Sequence, residues 1–166
     1  MATEASSGAA DSGEEAGLAL QPAEQEILLQ DVPAFARNLK DPASRERYAA
    51  LSEAVETGLV PPALVPALEA MLELALQSKA IRQRHGPDAE RALSDLFFRT
   101  GRGAALRQAA RDVTRALEAL AGQTIEKISV NAGPGRHTIS INTDRAHLTL
   151  SVDRGGVQVD RVEVGG

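Results

Sequence analysis

The feature that most constrains the fold is a change in the spacing of apolar residues near Gln123. Before Gln123 the apolar residues recur with helical spacing, whereas after it they alternate with Ser, Thr and Asn, as in a strand with one buried face. Three turn signals divide the alternating segment: Gly133-Pro134-Gly135, Thr143-Asp144-Arg145 and Arg154-Gly155-Gly156. The sequence therefore predicts a C-terminal four-stranded antiparallel β-meander.

The alternation also assigns the two faces of the predicted sheet. One face is apolar and is expected to receive the helices, while the other is rich in Ser and Thr and is expected to face water or a partner. In the last strand the apolar positions change phase between Val159 and Val162. This change predicts a β-bulge near Asp160 and Arg161.

Helical spacing before Gln123 predicts about five helices, packed on one face of the meander in an α+β fold. Pro22 and the pair Asp41-Pro42 are typical of helix starts. Pro33 is expected to break or kink the first helix. The segment from Pro61 to His85 is predicted to form one long helix.

Acidic residues are concentrated at the N-terminus. The net charge is −5, and residues 1–26 hold six acidic residues and no basic one. Residues 1–21 contain too little apolar surface to offset the entropy lost on ordering, which predicts a disordered acidic tail. The predicted organisation is this tail, a helical part over residues 22–122 and the meander over residues 123–166, with 22–166 as one compact domain.

The composition excludes several classes of site. The chain has no Cys, which excludes disulfides, thiolate zinc sites and cysteine nucleophiles. No apolar run is long enough to span a membrane, and the N-terminus lacks the features of a signal peptide, so we expect a cytoplasmic protein. Arg outnumbers Lys, and Ala and Gly are abundant, which we interpret as a bacterial composition.

The sequence predicts no metal site, no catalytic site and no cofactor. His137 and His147 lie on neighbouring predicted strands, but the expected pairing of Ile141 with Leu148 points them to opposite faces. They are then about 17 Å apart along the strands. His85 closes a predicted helix, where a cation interacts favourably with the helix dipole.

The most suggestive cluster is basic. Arg107, Arg111 and Arg115 recur at helical spacing and line one face of the last predicted helix. Arg102 lies between two glycines at the start of that helix, where free backbone N–H groups favour an anion. These four arginines are a candidate face for a phosphate or a nucleic acid. The alternative is a solvated helix face that carries salt bridges.

Apolar residues lie on more than one side of the predicted helix from Pro61 to His85. This surplus predicts either a central position in the fold or a homodimer interface that includes Leu74 and Ile81. Phe98 follows Phe97 directly, so the two rings cannot point the same way on a helix. Phe98 is therefore a candidate contact for a partner, unless both rings are buried.

The function that these observations favour is a non-catalytic interaction, adaptor or assembly module, with a protein partner or a second copy of the chain. The alternative is a sequence-nonspecific nucleic-acid or phosphate-binding protein that uses the arginine face. Salt distinguishes the two hypotheses, because phosphate binding weakens steeply with salt and an apolar interface does not.

Overall fold

Residues 17–165 are described by the structure, a computed structural model. Their contacts group into two compact units, one ending at Ala89 and the other beginning at Glu90. The last helix belongs to the same unit as the sheet. Most of the expected disordered tail lies outside the described residues.

Each unit has its own set of helices and strands. The first contains β1 (Leu18–Ala19), α1 (Pro22–Arg37), α2 (Pro42–Thr57), β2 (Leu59–Val60), a 3-10 turn (Pro62–Leu64), α3 (Val65–Gln77) and α4 (Ala80–His85). The second contains most of α5 (Pro87–Arg99), α6 (Gly101–Glu118), β3 (Ile125–Gly133), β4 (Arg136–Thr143), β5 (Ala146–Asp153) and β6 (Gly156–Val164). The α+β class is confirmed, and none of the helices in residues 17–165 is long and apolar enough to cross a membrane.

Aliphatic side chains build the core of the first unit. The fully buried ones include Leu28, Val32, Leu51, Val55, Leu68 and Leu72. Asp41 caps α2, because its carboxylate accepts hydrogen bonds from the hydroxyl and the backbone N–H of Ser44, at 2.6 and 2.8 Å. These two bonds hold the pKa of Asp41 below its ordinary value.

Of the predicted break or kink at Pro33, the break is wrong, because α1 continues through this residue. A proline inside a helix leaves the carbonyl four residues earlier without its usual donor, here the carbonyl of Leu29. Leu29 lies on the exposed side of α1. Water can therefore replace the missing donor, and the helix does not need to end.

The predicted long helix from Pro61 to His85 is also wrong, since the segment is divided into a 3-10 turn, α3 and α4. Between α3 and α4, Lys79 adopts a left-handed conformation with φ of 57°, which ends α3. Leu74 on α3 is 55% exposed, whereas Ile81 on α4 is 0% exposed. The change of direction therefore places Ile81 in the core.

Residues 17–21, which we expected in the disordered tail, belong to the first unit. β1 pairs with β2 in antiparallel orientation. The backbone N–H of Leu20 donates to the carbonyl of Gly58 at 2.9 Å, and that of Gln21 donates to the carboxylate of Glu24 at 2.8 Å. Hydrogen bonds hold this segment, whose apolar residues Leu18 and Leu20 were hidden in the low apolar content of residues 1–21 as a whole.

A tight turn joins α5 to α6 and depends on Gly103. The hydroxyl of Thr100 accepts a hydrogen bond from the N–H of Gly103 at 3.3 Å and donates to the carbonyl of Phe97 at 2.7 Å. A Cβ added to Gly103 would lie 2.0 Å from the carbonyl oxygen of Phe97. A larger residue therefore does not fit unless the turn opens.

The four C-terminal strands pair in chain order, β3-β4-β5-β6, and confirm the predicted meander. The expected pairing of Ile141 with Leu148 is present. In β6 the register shifts between Val159 and Arg161, with Asp160 as the extra residue. The predicted bulge is therefore confirmed, and α6 lies against the bulged strand.

Candidate interaction surface

The cross-strand register defines one apolar face of the sheet. One row of partners is Ile128, Ile141, Leu148 and Val162, and the next is Val130, Ile139, Leu150 and Val159. Directly paired residues of neighbouring strands point to the same side. These eight residues therefore form one face, which we call the apolar sheet face.

The apolar sheet face is covered at β5 and open at β3. Leu148 is 0% exposed and Leu150 is buried, whereas Ile128 is 57% and Val130 is 64% exposed. The apolar sheet face is therefore buried at β5, while its part at β3 stays open to solvent. The physical reason is the position of α6, which lies against β6 at the opposite edge of the sheet.

β3 is also an edge strand, so one row of its backbone N–H and C=O groups has no strand partner. Proteins commonly protect such edges with charges, prolines or bulges. In β3 the bulge and the charged residues Glu126 and Lys127 lie at its beginning, while residues 128–133 contain no charge and no proline. We call the edge of residues 128–133, with the exposed Ile128 and Val130, the β3 surface.

The opposite edge of the sheet is protected. Its bulged residue, Asp160, accepts hydrogen bonds from Arg136 at 2.5 Å and from the hydroxyl of Ser151 at 2.9 Å. Arg161 and Glu163 form an ion pair on the same strand. The bulge, the charges and the neighbouring α6 make β6 a poor template for a further strand.

The predicted arginine face lies on α6. Its members Arg102, Arg107, Arg111 and Arg115 are all exposed. The guanidinium of Arg107 lies over the ring of Phe98, 4.5 Å from the ring centre, which is a cation–π contact. Arg115 forms an ion pair with Asp112 at 3.7 Å. Phe98 and Arg107, which were predicted as separate candidates, are therefore in contact.

Some of the backbone N–H groups expected to bind an anion at the start of α6 already donate hydrogen bonds within the protein. The N–H of Gly103 bonds the hydroxyl of Thr100, and the N–H of Ala104 bonds the Thr100 carbonyl at 2.9 Å. A cavity of about 190 Å³ lies between α6 and the β5–β6 hairpin, and Arg102 is its charged lining residue. Arg102 has a further interaction within the fold.

The candidate interface residues Phe98, Leu74 and Ile81 differ in accessibility. Leu74 is exposed and Phe98 is half-buried beneath Arg107. Ile81 is fully buried and offers no surface to a partner in this structure. Ile81 is buried because α3 ends before Lys79, and the change of direction there turns α4 towards the core.

His137 and His147 lie on opposite faces of the sheet, as the sequence predicted. His137 is on the apolar sheet face, and His147 is on the other side. Both ring nitrogens of His147 have hydrogen-bond partners, Asn142 Oδ1 and Thr149 Oγ1. Within residues 17–165, no three His, Cys, Asp or Glu side chains are grouped so that they could hold a metal ion.

A buried ion-pair cluster joins α1 to α4 in the first unit. The carboxylate of Asp31 is 3% exposed, and its Oδ1 lies 3.0 Å from Arg84 and 3.0 Å from His85 Nε2. Its Oδ2 is buried without a hydrogen-bond partner among the described residues. His85 is the last residue of α4, as expected for a helix end. It also contacts the carboxylate of Asp31, 54 residues earlier in the chain.

Sequence reasoning missed the β3 surface, although a signal for it exists. Within a meander the first strand pairs on one side only, and residues 128–133 contain no charged residue. No signal of this kind exists for the Asp31 cluster, because its members are distant in the chain. A comparison of the chain with protein families, curated proteins and solved structures finds no match.

Proposed function

We propose that this protein is a non-catalytic interaction and assembly module that docks its partner on the β3 surface. The observation that carries the proposal is the exposure of Ile128 and Val130 on the part of an edge strand, residues 128–133, that has no charged residue. As partner we propose a second copy of the chain. As setting we propose the bacterial cytoplasm, in line with the excess of Arg over Lys and the abundance of Ala and Gly.

Two independent contributions favour docking at this surface. Burial of exposed apolar side chains contributes about 25 cal/mol per Å². The backbone groups of an edge strand also gain hydrogen bonds when a further strand is added. Leu74, in contrast, offers one exposed side chain on a helix whose backbone groups are already paired. The β3 surface is therefore the better candidate.

Sedimentation velocity at micromolar concentration tests the proposal. We expect a mass above the 17.5 kDa of one chain for the wild type. Val130→Lys should restore the single-chain mass, because it places a charge in the interface. Val164→Lys is the matched control, since Val164 is an even more exposed valine on the opposite edge strand. A wild type that sediments as one chain would contradict the proposal.

We propose phosphate binding by the arginine face of α6 as a second candidate function. It is supported by four exposed arginines on one helix and by the contact of Arg107 with Phe98, which holds one of the guanidinium groups in place. Arginine matches the geometry of phosphate oxygens and releases counterions from a nucleic acid when it binds. Such binding would be independent of sequence.

Fluorescence anisotropy with labelled DNA and RNA at about 50 mM salt tests this second function. Simultaneous change of Arg107, Arg111 and Arg115 to Glu should abolish binding. The matched control changes Arg37, Arg45 and Arg47 of the first unit to Glu, which alters the net charge equally. Equal loss in both variants would indicate a general charge effect, and the absence of any binding by the wild type would remove the hypothesis.

A further inference from the structure

We infer that the segment of residues 1–16 docks on the arginine face of α6 in the same chain and competes there with a phosphate ligand. We call residues 1–16 the acidic segment. They lie outside the described residues, so the inference uses only their sequence, charge and length. The docking itself needs no ligand, whereas the competition rests on the phosphate binding proposed above as the second function.

Charge is divided unevenly between the parts of the chain. The acidic segment has no basic residue and four acidic ones, which are Glu4, Asp11, Glu14 and Glu15. Residues 17–89 contain ten acidic and seven basic residues, whereas residues 90–166 contain nine acidic and eleven basic ones. The net charge of the first unit therefore repels the acidic segment, and the net charge of the second unit attracts it.

The arginine face of α6 concentrates positive charge on exposed side chains. Arg107, Arg111 and Arg115 follow one another at intervals of four residues, and like charges at this spacing repel each other on a helix. Arg115 is paired with Asp112, yet its side chain is still 77% exposed. Arg111 has no ion-pair partner among residues 17–165. Carboxylates that dock on this face therefore gain partners and reduce the repulsion between the arginines.

One guanidinium group of this face is held in place before any anion binds. The guanidinium of Arg107 lies over the ring of Phe98, 4.5 Å from its centre. A guanidinium in such a contact keeps N–H groups at its edge, which donate in pairs to a carboxylate or to a phosphate. The acidic segment and a phosphate ligand therefore need the same donors, so the binding of one opposes the binding of the other.

The acidic segment is long enough to make contacts away from its point of attachment at Gly17. An extended chain spans about 3.3–3.6 Å per residue, so Asp11 reaches up to about 20 Å and Glu4 up to about 45 Å from Gly17. A compact unit of about 75 residues has a radius of gyration of about 12 Å. Tethering also presents the segment to its own chain at an effective concentration in the millimolar range. Docking within one chain is therefore favoured over docking on a second copy.

The docked segment is expected to yield to a ligand. Exposed ion pairs are individually weak, so four carboxylates together should lower the affinity for a nucleic acid by about three- to tenfold. Binding of a nucleic acid by the wild type at low salt is therefore retained. Loss of the four negative charges should raise the affinity by the same factor.

Paramagnetic relaxation in the full chain tests the docking. Ser12→Cys gives the cysteine-free chain one attachment site for a nitroxide spin label, between Asp11 and Glu14. At about 50 mM salt, where exposed charges interact over more than 10 Å, the label should broaden the backbone N–H signals of α6 around Arg111. At about 1 M salt, where the Debye length is about 3 Å, the broadening should disappear. Unbroadened α6 signals at low salt would overturn the inference.

The two charge-matched arginine variants locate the contact. Simultaneous change of Arg107, Arg111 and Arg115 to Glu should abolish the broadening of α6, whereas the control on Arg37, Arg45 and Arg47 should retain it. In a mixture, isotope-labelled chains without the spin label should stay unbroadened by spin-labelled chains without the isotope. Broadening of equal strength in that mixture would overturn docking within one chain.

Fluorescence anisotropy with labelled DNA tests the competition and leaves α6 unchanged. One variant carries Gln or Asn at the four acidic positions of the acidic segment and should bind about three- to tenfold more tightly than the wild type. The matched control carries Gln at four exposed positions of α1 and α2 and alters the net charge equally; these positions are Glu26, Glu46, Glu53 and Glu56. Equal affinities of the two variants would overturn the competition.

The two experiments separate this inference from the second proposed function. DNA binding by the wild type without broadening of α6 would overturn the docking and leave phosphate binding standing. Broadening of α6 without DNA binding by any variant would overturn phosphate binding, and the competition with it, and leave the docking standing.

Discussion

At the scale of single residues, Gly103 is the position where the backbone leaves least room. The carbonyl of Phe97 approaches so closely that a Cβ at Gly103 would overlap it. Gly101, two residues earlier, has no heavy atom within 4 Å of an added Cβ. The two glycines of the same turn therefore have different roles, although the sequence shows them as a symmetric pair around Arg102.

Gly103→Ala should destabilise the protein by about 1–3 kcal/mol or more, because the turn between α5 and α6 must open to remove the overlap. Gly101→Ala is the control and should have little effect on stability or raise it slightly, since alanine favours the helix. Urea denaturation of both variants measures the difference. Equal midpoints for the two variants would contradict the role of Gly103.

Removal of the two partners of Asp31 is expected to destabilise the protein more than removal of the Asp31 charge. Arg84 is half-exposed and can return to water, whereas Asp31 cannot. Removal of both partners, by Arg84→Ala with His85→Ala, should therefore cost about 3–5 kcal/mol, because it leaves a buried carboxylate without a cation. Asp31→Asn should cost less. Urea denaturation of both variants, with Arg82→Ala and Gln83→Ala together as the control on exposed positions of α4, tests this order.

Residue roles in the sheet could be predicted from sequence, whereas those in the Asp31 cluster could not. The opposite facing of His137 and His147 follows from a period of two, which is a local property. The contact of His85 with Asp31 depends on how α4 returns to α1, and that return is a property of the folded chain. Local patterns carry no information on such a contact.

At the scale of elements, β1 gives a prediction that corrects the expected tail boundary. A chain that begins at Pro22 loses the pairing of β1 with β2 and the hydrogen bond from Gln21 to Glu24. We expect it to unfold at a lower temperature than a chain that begins at Gly17. Differential scanning calorimetry of the two variants measures the shift, and equal midpoints would show that β1 does not contribute to stability.

The strands were easier to predict than the division of the long helical segment. Glycine and proline mark each turn of the meander, and the register follows from the apolar alternation. The end of α3 has no such mark, because the residue with positive φ is Lys79. A lysine in this conformation is disfavoured locally, so contacts elsewhere, including burial of Ile81, must compensate for it.

At the scale of the whole molecule, self-association predicts a stability that depends on concentration. If folded chains pair through the β3 surface and unfolded chains do not, a higher protein concentration raises the thermal midpoint. We expect this dependence for the wild type and for Val164→Lys, and its loss for Val130→Lys. Thermal unfolding over a wide range of concentrations measures it, and a constant wild-type midpoint would argue against the dimer.

The fold class could be read from the sequence, but the grouping of its parts could not. The change of apolar period near Gln123 locates the boundary between helices and strands correctly. It does not show that α6 belongs to the unit of the sheet, because periodicity describes an element and not its neighbours. The same limit explains why the sequence does not show which part of the apolar sheet face stays open.

The order of the strands has a consequence for synthesis of the protein. Each strand of the C-terminal sheet pairs with the next one in the chain, so every hairpin closes over a short loop. Local pairing of this kind is fast compared with translation. β3 leaves the ribosome first and waits only for the following segment of about ten residues, which takes about one second. The inner edge of β3 is therefore exposed to other nascent chains for a short time only.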